Sequence, residues 1–315
     1  MTGTAREVLV LSPIRPRQMA RLEAEFVLHR LDEAEDKPAF LAGVADRIGA
    51  IVTTGGVGAA TDLIDELPGL RIIATSSVGI DRIDIETCRR RRIAVTNTPD
   101  VLTDDVADLA LGLLLATQRR LVEGDAWVRS GDWARRGAFA LTTSLSGLNV
   151  GILGLGAIGR AVATRCAAFN TQVGYCSRTP RDRSLRYFAD PVEMAGWANV
   201  MIACVPGGPA TRHLIDGAVI AALGPGGTLI NVARGSVVDE DALIAALTDG
   251  RLGSAGLDVF ACEPDPDPRL LCLPNVVVSP HHASGTVRTR DAMAQLVVDN
   301  LLAWRDGRPL VTPVG

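Results

Sequence analysis

Midway along the chain, Val150-Gly151-Ile152-Leu153-Gly154-Leu155-Gly156-Ala157-Ile158-Gly159-Arg160 reads as a buried β-strand that turns through glycine into a helix. Gly154, Gly156 and Gly159 stand in G-x-G-x-x-G spacing. In that arrangement the first glycine allows a tight turn, the second lets a pyrophosphate approach the backbone, and the third lets the helix pack close to the strand. The N–H groups and positive dipole end of the helix then face the phosphates. The spacing alone is a weak signal. An apolar strand before it and a run of helix formers after it, Ala157 to Ala168, make it specific. Something of domain size precedes the motif, and 315 residues suffice for two domains.

Elements alternate on both sides of it. Strands are expected at 7–12, 26–31, 50–53, 71–75 and 93–96. Helices are expected at 38–48, 61–67 (with Thr61 as N-cap) and 83–90. A long helix is expected at 104–128, apolar nearly all round in its first half and therefore buried in a core or a subunit interface. Residues 135–145 read as irregular connection. A second series begins at Asn149, with six strands (149–153, 171–176, 199–204, 227–232, 253–257, 275–278) and helices at 157–168, 190–197, 216–223 and 239–248. The last helix, 287–305, returns to the first domain. The expected class is α/β, with parallel sheets covered by helices.

Composition excludes several functions. A formal charge of −4 leaves no footprint for nucleic acid. Met1 to Arg6 lead straight into a strand and do not resemble a secretory leader, and the apolar runs fall short of a membrane span, so a cytoplasmic location is expected. Six scattered cysteines read as reduced thiols, with no metal site. Lys37 is the only lysine, and Tyr175 and Tyr187 are the only tyrosines. A Tyr-x-x-x-Lys reductase site is impossible, and a Schiff-base lysine is disfavoured.

The strand ending Val173-Gly174-Tyr175-Cys176 runs into Ser177-Arg178-Thr179. About 20 residues past the glycines an NAD site places an acidic residue on the ribose 2′-OH, whereas an NADP site places an arginine near the 2′-phosphate. Ser177 stands where the acid would be, and Arg178 follows it with a planar, permanently charged fork. This points to NADP(H) over NAD(H), with NAD(H) still possible. Three other strand ends carry groups able to act on an anionic carbonyl compound. Arg234 can hold a carboxylate and polarise the carbonyl. His281 can give a proton to the oxygen, since histidine titrates near neutrality. Glu263 can orient the imidazole and favour its charged form.

With Gly154-Leu155-Gly156-Ala157-Ile158-Gly159, Asn231-Val232-Ala233-Arg234-Gly235, Gly256-Leu257-Asp258-Val259-Phe260 through Glu263-Pro264, and Ser279-Pro280-His281, the chain resembles the D-2-hydroxyacid dehydrogenase family over nearly its whole length. The segment from Val95 to Asp108 is similar to the glyoxylate/hydroxypyruvate reductase branch. The resemblance implies a Rossmann-type doubly wound domain, 99–285, inserted into a smaller flavodoxin-like substrate domain, 1–98 with 286–315, and hinges near Thr98-Pro99 and Ser284-Gly285. It places the catalytic set on Arg234, Glu263 and His281, and substrate-carboxylate binding on Ser77, Val78 and Gly79. Asp258 would hold the nicotinamide amide. Further cofactor contacts fall on Thr103, Ala157, Ile158, Thr179, Pro206, Thr211, Val232 and Ala233.

The expected activity is NADPH-dependent reduction of a small 2-oxoacid, glyoxylate or hydroxypyruvate in type, to the D-2-hydroxy acid. Members of the family are homodimers joined through the nucleotide domain, and the apolar helix at 104–128 suits such an interface. Two alternatives stand beside this reading. One is a 2-ketogluconate, hydroxyphenylpyruvate or phosphoglycerate-type dehydrogenase; the other is a non-catalytic dinucleotide sensor. Departures from the family pattern are His282, read as a packing variant, and Gly207-Gly208 after Pro206.

Overall fold

The computed structural model describes residues 7–314; Met1–Arg6, which the sequence reading treats as a lead-in, and Gly315 lie outside the described residues. The chain divides into two units, one running up to Leu102 and resuming at Ser284, the other spanning Thr103–Ala283.

Five parallel strands form the sheet of the first unit: β1 (Glu7–Val10), β2 (Val27–Arg30), β3 (Ala50–Thr54), β4 (Ile72–Ser76) and β5 (Ala94–Thr96). Their order, β2-β1-β3-β4-β5, is the flavodoxin-like one. Parallel strands are covered on both faces, which is why they read as continuous apolar runs. On one face Leu9, Ile51 and Ile73 pack with Leu41, Ile64 and Cys88 from the helices Lys37–Val44, Thr61–Asp65 and Ile85–Arg91. On the other, Val8, Val52 and Ile72 meet Met19 and Leu22 of helix Pro16–Glu25 and Val297 and Leu301 of helix Val287–Arg305.

Helix Pro16–Glu25 is not expected from the sequence, because only Met19, Leu22 and Gln18 of its ten residues are buried and the apolar stripe is too thin to read. Thr61 is not an N-cap. Ala60 holds that position, and the Thr61 hydroxyl instead donates to Asp84 Oδ2 at 2.5 Å.

The second unit holds seven parallel strands, one more than expected: β6 (Asn149–Leu153), β7 (Gln172–Cys176), β8 (Arg186–Phe188), β9 (Val200–Ala203), β10 (Thr228–Asn231), β11 (Ser254–Leu257) and β12 (Val276–Val278). The added strand, β8, is a three-residue edge in which only Phe188 is buried, so it carries no readable period. The order β12-β11-β10-β9-β6-β7-β8 reverses between β6 and β9. That switch point is where a doubly wound sheet receives its ligand.

The helix expected at 104–128 is broken. Thr103–Gln118 is one helix and Leu121–Arg129 another, separated by Arg120 in the left-handed region at φ 49°. The first helix buries Val106, Ala110, Leu113 and Leu114 and packs on helix Ala157–Ala167 and β11, so its apolar surface belongs to the unit's own core. The second buries nothing. Leu121, Val122 and Val128 are exposed, as are Trp133 on the short helix Asp132–Arg136 and Leu141 beyond it. Only the last two residues of that short helix, Arg135 and Arg136, fall in the stretch 135–145 expected to be irregular. No helix among the described residues is long and apolar enough to cross a membrane.

Buried Asn300 fastens the returning C-terminal segment. Its Oδ1 accepts the N–H groups of Val311 and Thr312 at 3.0 and 3.1 Å, and its Nδ2 donates to Leu296 O and Thr312 Oγ1 at 2.7 and 2.8 Å. Thr312 and Val314 then bond Asn97 and Val95 beside β5. Asn300→Ala removes the bonds to the N–H groups of Val311 and Thr312 and is expected to cost about 1–3 kcal/mol in urea-unfolding free energy, the net worth of two hydrogen bonds.

Candidate active site

Each glycine of the turn after β6 does a different job. Gly154 has φ +97°, and an added Cβ would lie 2.7 Å from Val205 Cγ1 on the turn after β9. At Gly159 an added Cβ would collide with the carbonyl oxygen of Gly154, so any side chain there would drive the helix off the strand. Gly156 differs: nothing lies within 4 Å of its added Cβ, and it caps helix Ala157–Ala167 with no side-chain hydrogen bond. Gly156 and Ala157 are exposed there, with Ile158 half-buried behind them. Open space over orphan helix N–H groups suits a pyrophosphate, so the residues present fit a dinucleotide.

At the end of β7, Ser177 Oγ donates to Thr179 O at 2.7 Å, which closes the turn. Arg178 and Thr179 are exposed, and the Arg178 guanidinium makes no hydrogen bond or ion pair among the described residues. No carboxylate stands at position 177. After β9, the Thr211 hydroxyl bonds Pro206 O and Gly208 O at 2.7 and 3.2 Å, which folds that loop on itself. Thr103 opens helix Thr103–Gln118, and Val232 and Ala233 are buried at the end of β10.

Arg234, Glu263 and His281 come from the ends of β10, β11 and β12. Buried Asn231 shapes the Arg234 turn: its Oδ1 accepts Ala233 N–H and its Nδ2 donates to Arg234 O, both at 3.0 Å. An added Cβ at Gly235 would overlap the carbonyl of Phe260. The Arg234 turn and the Phe260–Glu263 loop are thus in backbone contact, which only glycine permits. Glu263 Oε1 accepts Phe260 N–H at 2.9 Å, and its Oε2 lies 2.7 Å from His281 Nδ1. An ionised carboxylate only accepts, so Nδ1 carries the hydrogen and Nε2 is left for another partner. The two side chains are 22% and 42% exposed, so the imidazole can be reached while the carboxylate behind it is largely enclosed.

Burial pushes the Glu263 carboxyl up. The hydrogen bonds from His281 and Phe260 N–H, with the charges of His281 and Arg234, outweigh it and hold the group below the usual range. Ionised Glu263 therefore stabilises the folded chain above about pH 4.3, the ordinary glutamate value, and that contribution is lost as pH falls through the lowered one.

Asp258 holds His281 from below. Its carboxylate is fully buried and accepts His282 N–H at 2.8 Å and Ala283 N–H at 3.0 Å, while its carbonyl accepts His281 N–H at 2.8 Å. His281 is held at φ 50° in the left-handed region, uncommon for a non-glycine residue. A recess of ≈ 320 Å³ opens beside the pair, with Phe260, Pro264, Leu271 and Val278 along its wall. His282 corrects the packing expectation: its residue is exposed and its ring makes no hydrogen bond among the described residues.

The loop Ser77-Val78-Gly79 belongs to the first unit, after β4. Its carbonyls are occupied, Ser77 O by Thr98 N–H at 2.8 Å and Val78 O by Asn97 Nδ2 at 3.0 Å. Sequence reasoning missed Asn231, Gly235 and the anchoring role of Asp258. Each is a polar residue or glycine at the end of an apolar strand, which was the available signal.

Residues 111–283 match the family described as D-isomer specific 2-hydroxyacid dehydrogenase, NAD binding domain. The chain belongs to this family. Over 308 residues it is 48% identical to hydroxyphenylpyruvate reductase of Plectranthus scutellarioides and 48% identical to glyoxylate/hydroxypyruvate reductase A of Arabidopsis thaliana, covering 98% of this chain and of each relative. Among solved structures it matches the NADPH-dependent glyoxylate/hydroxypyruvate reductase of Sinorhizobium meliloti in complex with NADP and malonate. The TM-score is 0.91 at 42% identity, over 99% of this chain and 97% of that one. This 2-hydroxyacid dehydrogenase is an oxidoreductase that uses a nicotinamide dinucleotide.

Since catalysis is sensitive to displacements of about 1 Å, Gly235→Ala is expected to lower kcat/KM by about tenfold or more while the circular dichroism spectrum is unchanged.

Proposed function

We propose that this dehydrogenase reduces a small 2-oxoacid, glyoxylate or hydroxypyruvate in type, to the D-2-hydroxy acid with NADPH. The observation that carries the reading is the 2.7 Å bond between His281 and an enclosed Glu263, with Arg234 in contact through the neighbouring loop. When bound, the nicotinamide supplies the hydride. Arg234 holds the substrate carboxylate and polarises the carbonyl. His281 gives its Nε2 proton to the carbonyl oxygen as charge develops there, and Glu263 keeps the ring oriented through its bond to Nδ1. Carboxylate recognition is assigned also to the N–H groups of Ser77, Val78 and Gly79. The reading makes the first unit the substrate domain and the second the dinucleotide domain.

The preference for NADPH rests on the absent carboxylate and the unengaged Arg178 at the end of β7. The Sinorhizobium meliloti protein, bound to NADP, supports it. A homodimer is proposed through the exposed apolar residues of 121–141: Leu121, Val122, Val128, Trp133 and Leu141. Trp127 packs against Phe139 within that stretch, with ring centroids 5.8 Å apart and the rings tilted by 60°.

Reduction of a panel of 2-oxoacids, followed by loss of the reduced nicotinamide's absorbance, tests this. Charge-assisted bonds to a phosphate predict a kcat/KM about tenfold or more higher with NADPH than with NADH; a preference for NADH overturns the cofactor assignment. His281→Asn is expected to reduce kcat by about 10² or more, the usual contribution of a positioned acid. Near-normal turnover removes His281 from the mechanism.

A further inference from the structure

The loop that follows β7 is held down by hydrogen bonds from three side chains outside it, Tyr175, Tyr187 and Arg160. Tyr175, the last residue but one of β7, is fully buried. Its hydroxyl accepts the N–H groups of Arg181 at 2.7 Å and Asp182 at 2.9 Å and donates to Asp182 O at 3.0 Å. All three bonds go to backbone six or seven residues ahead, so one buried oxygen sets the path of the whole loop. Tyr187 on β8 packs its ring in a tilted arrangement 5.5 Å from that of Tyr175 and donates its hydroxyl to Ser177 O at 3.2 Å. Both tyrosines of the chain therefore serve this one loop.

A third clamp comes from the glycine-turn helix. Arg160 donates to Arg181 O at 3.1 Å and to Asp182 Oδ2 at 3.3 Å. Asp182 also accepts the N–H and hydroxyl of Ser184, at 2.8 and 2.6 Å, so the loop's one carboxylate is engaged. What remains unengaged is cationic. Arg178, Arg181 and Arg183 are exposed, and their guanidinium groups make no hydrogen bond or ion pair among the described residues.

Three like charges within six residues repel one another, and a free loop would spread them. A rigid loop keeps them together for an incoming dianion, and preorganisation is what a charged clamp gains most from. A ribose 2′-hydroxyl would need a carboxylate acceptor, and none is available here. We infer that Tyr175 is a positioning residue for cofactor selectivity: its buried hydroxyl fixes the 177–184 loop so that Arg178 and Arg181 converge on the 2′-phosphate of NADPH. The inference rests on the NADPH reading above and adds to it Arg181 as a second cation and the hydroxyl as the element that places it.

Tyr175→Phe keeps the ring and its packing and removes only the three bonds. Arg160→Gln, at a partly exposed position, loosens the same loop from the other side and serves if the tyrosine variant does not fold. Steady-state kinetics are measured with NADPH and NADH at saturating hydroxypyruvate, together with competitive inhibition by adenosine 2′-monophosphate. The expected result is a KM for NADPH raised about five- to tenfold, as loss of one or two net hydrogen bonds would give, with a matching rise in the inhibition constant. The kcat with NADPH and both constants with NADH stay within about twofold on the same reasoning. Equal losses with both cofactors would make Tyr175 a packing residue only and overturn the inference, as would unchanged constants in the variants that fold. A wild-type enzyme that prefers NADH would overturn the underlying cofactor assignment instead, and that is read before any variant is made.

Discussion

The site depends first on one buried carboxylate. Asp258 is sealed from solvent at the end of β11, where a charge is tolerated only if its oxygens are satisfied. They are satisfied by the N–H groups of His282 and Ala283, which belong to the segment leaving β12. That requirement ties two strand ends together and holds His281 in a left-handed conformation it would not adopt unaided. From there the arrangement propagates. His281 meets Glu263 at 2.7 Å, Glu263 takes the N–H of Phe260, and the Phe260 carbonyl lies against Gly235 beside Arg234. An acid, its orienting base and a cation are thus placed by backbone contacts between adjacent strands, and such contacts are stiffer than side-chain packing on a loop.

The glycine turn supplies the complementary half. Gly154 and Gly159 are dictated by collisions that any side chain would cause, so they answer to the fold. Gly156 faces open space, so it answers to a ligand. The strand order reverses at this point, and the parallel strands β7, β9, β10, β11 and β12 all deliver their carboxyl ends to the same edge of the sheet as β6. One topological fact therefore explains why the phosphate turn, the Ser177–Arg178 turn and the catalytic groups share an edge.

Much of this was legible in the residues. The final helix, 287–305, and β6 are read from apolar periodicity and match residue for residue. The strand-end positions of Arg234, Glu263 and His281 follow from turn signals after apolar runs. What escaped has a common cause. Helix Pro16–Glu25 has too thin a buried stripe, β8 is too short for a period, and the break at Arg120 replaces an apolar pattern that runs on in sequence. Asn300, Asn231 and Tyr175 act through hydrogen bonds to backbone, and no local pattern announces these. Tyr175 in particular looks like one more apolar strand residue until its hydroxyl is followed to Arg181 and Asp182. Of the two places the sequence allows for the apolar surface of the helix beginning at Thr103, a core or a subunit interface, the structure shows the core of its own unit; exposed apolar residues lie instead on 121–141.

The central claim is that these strand ends reduce a 2-oxoacid on one face of its carbonyl. The configuration of the product tests it most directly. The purified protein is incubated with hydroxypyruvate and NADPH, and the glycerate formed is resolved by chiral chromatography. D-glycerate accumulating in step with loss of NADPH absorbance is the predicted result; L-glycerate, or no consumption of NADPH with any small 2-oxoacid, would contradict the account.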